Sequence, residues 1–300
     1  MGRWKIKNSQ DSYDLESAFG VTITDPIGVS YPPQEIITSE YGQDDGELVQ
    51  RILVKPRIFK LVGTLVGSND IDLLLKRLFL TNALSRDEVV TVTADGEETI
   101  TPIIVQFSLA GKTIEINALM QSGLEGSRSG QDMHTEKLTL EFRASDPFWY
   151  DPEGVTIDLA LNTTNAVDNA GTTATYPQLI LAGEGIIESL ANDTIGQTIT
   201  FTGLSILPGE TVTLDLRPGR KTLTSDVRGN LLFTIDRTSK LTSWQLRKNN
   251  NDIVLTASSG QVALGVGDGS ALGVADVTLN LTQKDLVFNK RHWGVEGVVA

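Results

Sequence analysis

The sequence predicts a mainly β protein with one α-helix: an N-terminal β-barrel-like or β-sandwich domain that carries the helix, followed by an antiparallel β-sandwich. Three observations predict it. Apolar residues alternate with Thr, Asn or charged residues along most of the chain, the two-residue period of strands with one buried face. Only the segment from Asn69 to about Asn82 breaks to helical spacing. A stretch rich in proline and aromatics, Asp146-Pro147-Phe148-Trp149-Tyr150-Asp151-Pro152-Glu153-Gly154, then divides the chain, and no helical pattern follows it. At roughly 100 to 200 residues per domain, 300 residues make two domains, expected at 1–150 and 151–300.

In the first half, strands are read from Val89 to Thr93, around Ile114 and Ile116, and where Leu138, Leu140 and Phe142 alternate with Thr139, Glu141 and Arg143. The turn Ala94-Asp95-Gly96-Glu97 holds an Asp-Gly pair that tolerates positive φ, so its flanks should form a hairpin. Tyr41-Gly42-Gln43-Asp44-Asp45-Gly46 reads as a second turn. The helix opens on a capping residue, Ser68 or Asn69, with Asp70 and Asp72 in its first turn. At about 100° per residue, Ile71, Leu74, Leu75, Leu78 and Phe79 form one broad apolar stripe, expected to bury against the sheet. Leu73 and Leu80 fall on the other side, beside Lys76 and Arg77. Either a loop of the same chain covers them, or Leu73, Lys76, Arg77 and Leu80 form a subunit interface.

Around the division, Pro147, Phe148, Trp149 and Tyr150 are expected to be wedged at the domain junction. Beyond it, short strands recur at Ile157, Leu159 and Leu161; at Ile199 and Phe201; at Val212, Leu214 and Leu216; at Ile253 and Leu255; and at Val277, Leu279 and Leu281. Turns at Leu207-Pro208-Gly209-Glu210 and Arg217-Pro218-Gly219-Arg220 punctuate them, and Trp244 reads as the buried residue of a strand over Leu241–Leu246. Gln121 to Thr135 is too long and polar for a tight turn and reads as an arm or loop. The echo Ala263-Leu264-Gly265-Val266 and Ala271-Leu272-Gly273-Val274 reads as a hairpin closed by a glycine-rich turn.

Composition narrows the chemistry. There is no cysteine, which removes disulfides and thiolate sites. The two histidines, His134 and His292, sit near no nucleophile pattern. A net charge of -13 disfavours binding to a nucleic acid backbone. Gly111-Lys112-Thr113 lacks the first glycine of a phosphate loop, because position 106 is Gln106. The acidic pairs Asp44/Asp45 and Glu97/Glu98 are adjacent and point apart in extended chain, as solvated turn charges do. Asp44, Asp45, Glu47 and Asp268 lack the spacing of a calcium loop. Trp149, Trp244 and Trp293 are weighed as sugar-stacking residues and read mainly as core. No apolar run is long enough to span a bilayer, and the polar Met1–Lys7 start points to synthesis and assembly in the cytoplasm.

Three motifs in order carry a resemblance: Ser145-Asp146-Pro147-Phe148-Trp149-Tyr150 closing the first domain; Leu207-Pro208-Gly209-Glu210 running on to Arg217-Pro218-Gly219-Arg220-Lys221-Thr222; and the segment ending Trp244-Gln245-Leu246. Together they resemble the siphophage distal tail protein family, Dit. Relatives tend to follow the tryptophan strand with a Pro-Gly turn, where this chain has Arg247-Lys248-Asn249-Asn250-Asn251. The resemblance implies a homo-hexameric ring at the tail tip of the virion, with a galectin-like sandwich as the second domain. It implies joining of the tail-tube protein to the baseplate hub or tail-tip protein, and contact with receptor-binding or side-fibre proteins. DNA would pass through the lumen without specific binding. No cofactor and no catalysis are expected. A carbohydrate-binding module that helps adsorption is the alternative.

Overall fold

A computed structural model describes residues 2–8, 11–40, 47–85, 90–92, 98–124, 127–128, 134–265, 271–277 and 279–295. The chain divides into two compact units, Met1–Pro152 with His292–Ala300, and Glu153–Arg291. The second unit is therefore an insertion whose far end returns to the first, and not the whole C-terminal half. Among the described residues no helix is long and apolar enough to cross a membrane.

The first unit contains β1 (Arg3–Lys7), β2 (Ser12–Asp14), α1 (Leu15–Phe19), β3 (Val21–Ile27), β4 (Gln34–Glu40), β5 (Glu47–Val54), β6 (Arg57–Val66), α2 (Asp70–Ala83), β7 (Val90–Val92), β8 (Glu98–Ile100), β9 (Ile103–Leu109), β10 (Lys112–Gly123), β11 (Ser127–Arg128), β12 (Thr135–Ala144) and β13 (Trp149–Tyr150). One antiparallel sheet runs in the order β2-β1-β9-β10-β12-β6-β3. Its inner face follows from alternation: Leu138, Leu140 and Phe142 on β12, Phe59, Leu61 and Leu65 on β6, and Ile114 and Ile116 on β10 are all buried. Phe59 and Phe142 are register partners and stack at 5.3 Å. The β7–β8 hairpin forms as expected, and β4 and β5, not read from the sequence, pair on either side of the second expected turn; the turns read at 94–97 and 41–46 lie outside the described residues. The segment read as a loop from Gln121 is partly strand: β10 continues through Gly123, and β11 pairs with β12. Of the rest, 125–126 and 129–133 lie outside the described residues.

Helix α2 starts where its cap predicts, the Asn69 side chain accepting the Asp72 N–H at 2.9 Å. Its orientation is the reverse of the expectation. Leu73 and Leu80 are 1% and 0% exposed and sit in the core with Ala83 and Leu84, whereas Ile71, Leu74, Leu75, Leu78 and Phe79 face outward. Leu73 and Leu80, expected at a subunit interface with Lys76 and Arg77, are thus covered within the chain itself, while Lys76 and Arg77 stay partly exposed beside them. The basic pair between the two leucines decides this. Lys76 Nζ donates to the Val66 carbonyl (3.0 Å). Arg77 donates to the Leu124 carbonyl (2.7 Å) and to Glu136 Oε1 (2.9 Å). Lys76 thus anchors to the backbone of β6, and Arg77 to the chain just after β10 and to a β12 side chain, while their stems cover apolar surface. Close approach is also required: a Cβ at Gly67 would lie 2.7 Å from the Leu73 nitrogen. A second helix, α1, escaped the periodicity because it has five residues. It is set by its ends, Asp14 accepting from the Glu16 and Ser17 amides and Gly20 in the left-handed conformation at φ 68°.

The returning segment is held by a buried arginine. Arg57, 0% exposed, donates to the carbonyls of Val29 (2.7 Å), Gly28 (3.4 Å), Ser30 (3.3 Å) and Trp293 (2.5 Å). Burial lowers its pKa to about 10. Val295 N–H donates to Val29 O, Tyr31 stacks on Trp293 at 4.8 Å, and His292 Nε2 lies 2.9 Å from Asp151 Oδ1. Gly294 is obligatory, since a Cβ there would meet the Ser30 oxygen at 2.0 Å. The aromatics expected to wedge between domains are tied into the first unit. Trp149 is fully buried in its core and donates to Val29 O (3.1 Å), Phe148 packs on Trp293, and Tyr150 donates to Asp146 Oδ2 (2.6 Å). Pro147 is buried beside them.

The second unit contains β14 (Val155–Asp158), β15 (Thr164–Asn169), β16 (Gln178–Asn192), β17 (Gln197–Asp215), β18 (Thr222–Ser225), β19 (Gly229–Asn230), β20 (Asn249–Ser258), β21 (Gly260–Gly265), β22 (Ala271–Val277) and β23 (Asn280–Phe288), with a 3-10 turn at Leu232–Thr234; the short β24 (Arg291–His292) falls at the boundary where the chain returns to the first unit. The main sheet is antiparallel in the order β14-β23-β16-β17-β18-β19, and β20 joins it through β16. Leu179, Leu181, Leu190, Leu214, Trp244 and Leu255 lie in its core. The β21–β22 hairpin forms at the echoed segment, its turn at 266–270 lying outside the described residues. Two readings change. Trp244 is fully buried, but in irregular chain just after a turn at 241–243, donating to Leu190 O. Leu207-Pro208-Gly209-Glu210 does not reverse the chain; it is a bulge within β17, where the register passes from Gly183↔Glu210 to Gly185↔Ile206. The Glu210 side chain closes that bulge by accepting from Leu207 N (2.9 Å), from Arg228 Nε (2.6 Å) and Nη2 (2.9 Å), and from Ser225.

Two predictions follow from these buried groups. Arg57→Met should orphan the carbonyls it joins and cost about 3 kcal/mol in urea denaturation; an unchanged midpoint would show that the clasp is not structural. Burial raises the Glu210 pKa, but its hydrogen bonds from Arg228, Ser225 and the Leu207 amide outweigh that and hold it below the ordinary value. Its stabilisation is therefore present above the unfolded glutamate pKa of about 4.3 and is lost as pH falls through the depressed folded value. Glu210→Gln should flatten the acid limb of the stability–pH curve, and an identical limb in both proteins would refute this.

Candidate functional site

The outer face of α2 is a concentrated apolar surface on the first unit. Ile71, Leu74, Leu75, Leu78 and Phe79 are 71%, 63%, 45%, 52% and 58% exposed. Five large side chains at i, i+3, i+4, i+7 and i+8 make a continuous ridge of the kind that marks a protein–protein contact. Alongside it lies a groove of about 270 Å3 lined by Asn8, Tyr13, Ala18, Phe19, Phe79, Asn82 and Ala83. Its floor is apolar and two asparagines rim it.

A second apolar surface belongs to the ribbon β4–β5. Among the described residues the two strands pair only with each other, and Ile36, Ile37, Leu48, Val49 and Ile52 are exposed. Register brings Ile36 opposite Ile52 and Thr38 opposite Val49. A two-stranded ribbon is marginal in water without a surface to pack on. Its alternation was not read from the sequence because apolar residues occupy both faces, as Ile36-Ile37 and Leu48-Val49 show.

Among the described residues no group of three or more His, Asp or Glu side chains converges as a metal site; Asp44, Asp45 and Asp268 lie outside them. His134 lies 3.6 Å from Asp70 at the exposed start of α2. Trp4, Trp149 and Trp244 are buried, and Trp293 is stacked between Tyr31 and Phe148 in the first unit, not displayed on the sandwich.

No protein-family model matches the sequence, and comparison with curated proteins gives no match. Among solved structures, the chain is similar to the Dit protein of SPP1, described as a paradigm of the hub adsorption apparatus in phages that infect Gram-positive bacteria. The identity is 16%, the match covers 96% of this chain and 98% of that one, and the TM-score is 0.63. The phage P2 baseplate in its activated conformation overlaps more loosely: with calcium at 8% identity, 97% and 98% coverage and a TM-score of 0.47, and with strontium at 8%, 96% and 98%, and 0.45. The chain thus shares its fold, across both units, with the SPP1 Dit protein.

Proposed function

We propose that this protein is a structural subunit of a siphophage tail tip, a distal tail component whose first unit builds a hexameric ring. The apolar ridge on the outside of α2 carries this reading. An exposed stripe of five large apolar side chains is costly for a solitary molecule and is expected where copies dock. A ring that closes by rotation needs two different, complementary patches on each copy. The first unit offers two: the α2 ridge with its groove, and the β4–β5 ribbon. Likeness of fold to SPP1 Dit over nearly the whole chain supports the same reading.

In this role the ring joins the tail-tube protein to the baseplate hub or tail-tip protein, and the second unit, a galectin-like sandwich, offers attachment for receptor-binding or side-fibre proteins. DNA passes through the lumen without specific binding, the subunit is not an enzyme, and assembly occurs in the host bacterial cytoplasm before the protein takes its place at the virion's tail tip. Of the tryptophans that would favour the carbohydrate-binding alternative, Trp149 and Trp244 are buried, and the half-buried Trp293 is stacked against Tyr31 and Phe148.

Substitution on the two faces of α2 separates assembly from folding. Leu74→Asp with Leu78→Asp should leave a folded chain and dissociate the ring, since losing about 3 kcal/mol of apolar burial weakens association roughly 100-fold per contact. Leu73→Asp buries a charge in the core and should unfold the first unit instead. Light scattering with circular dichroism checks both, and an unchanged assembly mass in the Leu74/Leu78 variant would sink the proposal.

A further inference from the structure

The turn that follows β17 gathers positive charge in a chain that is otherwise acidic. Residues 215–221 hold Arg217, Arg220 and Lys221 against a single carboxylate, Asp215, while the chain as a whole carries -13. Asp215 is almost fully buried and its needs are already met. Arg217 grips it with a fork, Nη2 to Oδ2 at 2.7 Å and Nε to Oδ1 at 3.0 Å, and Gln178 Nε2 adds a bond at 3.1 Å. Arg220 is superfluous to that pairing: its Nη1 lies 4.0 Å from Asp215 Oδ2, and its side chain is 64% exposed. Its guanidinium donates no hydrogen bond among the described residues.

Lys221 completes the cluster. Its amino group donates to the Leu216 carbonyl and lies 4.4 Å from the centre of the Tyr176 ring, which also carries the Arg291 guanidinium at 5.6 Å. Burial lowers the Lys221 pKa, and the Asp215 charge opposes the shift. Lys221 also adopts a left-handed backbone conformation, φ 43°, next to Gly219 at φ 75°. A lysine held there is strained, and such strain persists where the surroundings fix a side chain in place. A lone structural salt bridge would need Arg217 and nothing more.

We propose that this turn is an anion site that takes a phosphate group, bound by the exposed Arg220 guanidinium and the Lys221 amine, with Arg217 locked on Asp215 as its scaffold. Guanidinium groups recognise phosphate oxygens through paired N–H donors. The negative charge elsewhere on the chain does not defeat binding, because fields from exposed charges fade within about 8 Å at physiological ionic strength. The site lies wholly in the second unit and does not depend on ring assembly.

The test is equilibrium binding to the full chain of inorganic phosphate, of polyphosphate, and of phosphatidylglycerol vesicles, which separates a free ion, a polymer and a lipid headgroup as the source. At least one probe should bind in a salt-sensitive manner. Arg220→Glu should weaken that binding about tenfold or more, Lys221→Met should weaken it less, and Arg237→Glu, at an exposed position elsewhere, should leave it unchanged, all with unaltered melting temperature. Equal weakening by Arg237→Glu would show bulk charge alone, and absence of binding by all three probes would overturn the site.

Discussion

One helix with apolar side chains around most of its circumference has to be covered on two sides, and its own sheet covers only one. Leu73, Leu80 and Ala83 meet the sheet, while Ile71, Leu74, Leu75, Leu78 and Phe79 are left in water. At roughly 25 cal/mol per Å2, a ridge of five such side chains represents several kcal/mol that the isolated chain forgoes. The β4–β5 ribbon forgoes more in the same unit. Two unmet apolar surfaces of different shape on one chain suit a heterologous, repeating contact better than a two-fold one.

The first unit is built from two separate stretches of the chain. The second unit is inserted between Pro152 and His292, and the returning segment is locked by Arg57, Gly294 and the Tyr31–Trp293 stack. Arg57 has backbone carbonyls as its acceptors in place of a carboxylate. The planar fork of a guanidinium can serve several backbone oxygens at once, which a lysine cannot. The result is a first unit whose strands and returning residues 292–295 are tied together by one buried cation.

Much of this was legible in the sequence. Alternation at Leu138–Phe142, the Asn69 cap with its acidic first turn, and the break after Tyr150 each located an element, because each rests on local chemistry. The facing of α2 was not legible. Both stripes are apolar, the broader one was the natural choice for the core, and only the tertiary partners of Lys76 and Arg77 reveal that these cations anchor the narrower stripe to the sheet. The inverted faces moved the expected assembly surface from Leu73 and Leu80 to the ridge around Leu78. Trp244 and the Leu207–Glu210 bulge were misassigned for a related reason: burial and glycine are shared by strands, turns and bulges, and long-range pairing decides among them. The roles of Arg57 and Glu210 depend on partners far away in sequence, which no spacing announces.

The central claim is that a neighbouring copy covers the outside of α2. Hydroxyl-radical footprinting of the wild-type protein, dilute and at assembly concentration, reads this directly at Leu74, Leu78 and Phe79. The account predicts strong oxidation of these side chains in the dilute protein and protection as assembly proceeds, with Phe233 of the second unit, 81% exposed, reactive at both concentrations. Equal oxidation of the α2 ridge in the dilute and assembled protein would contradict it.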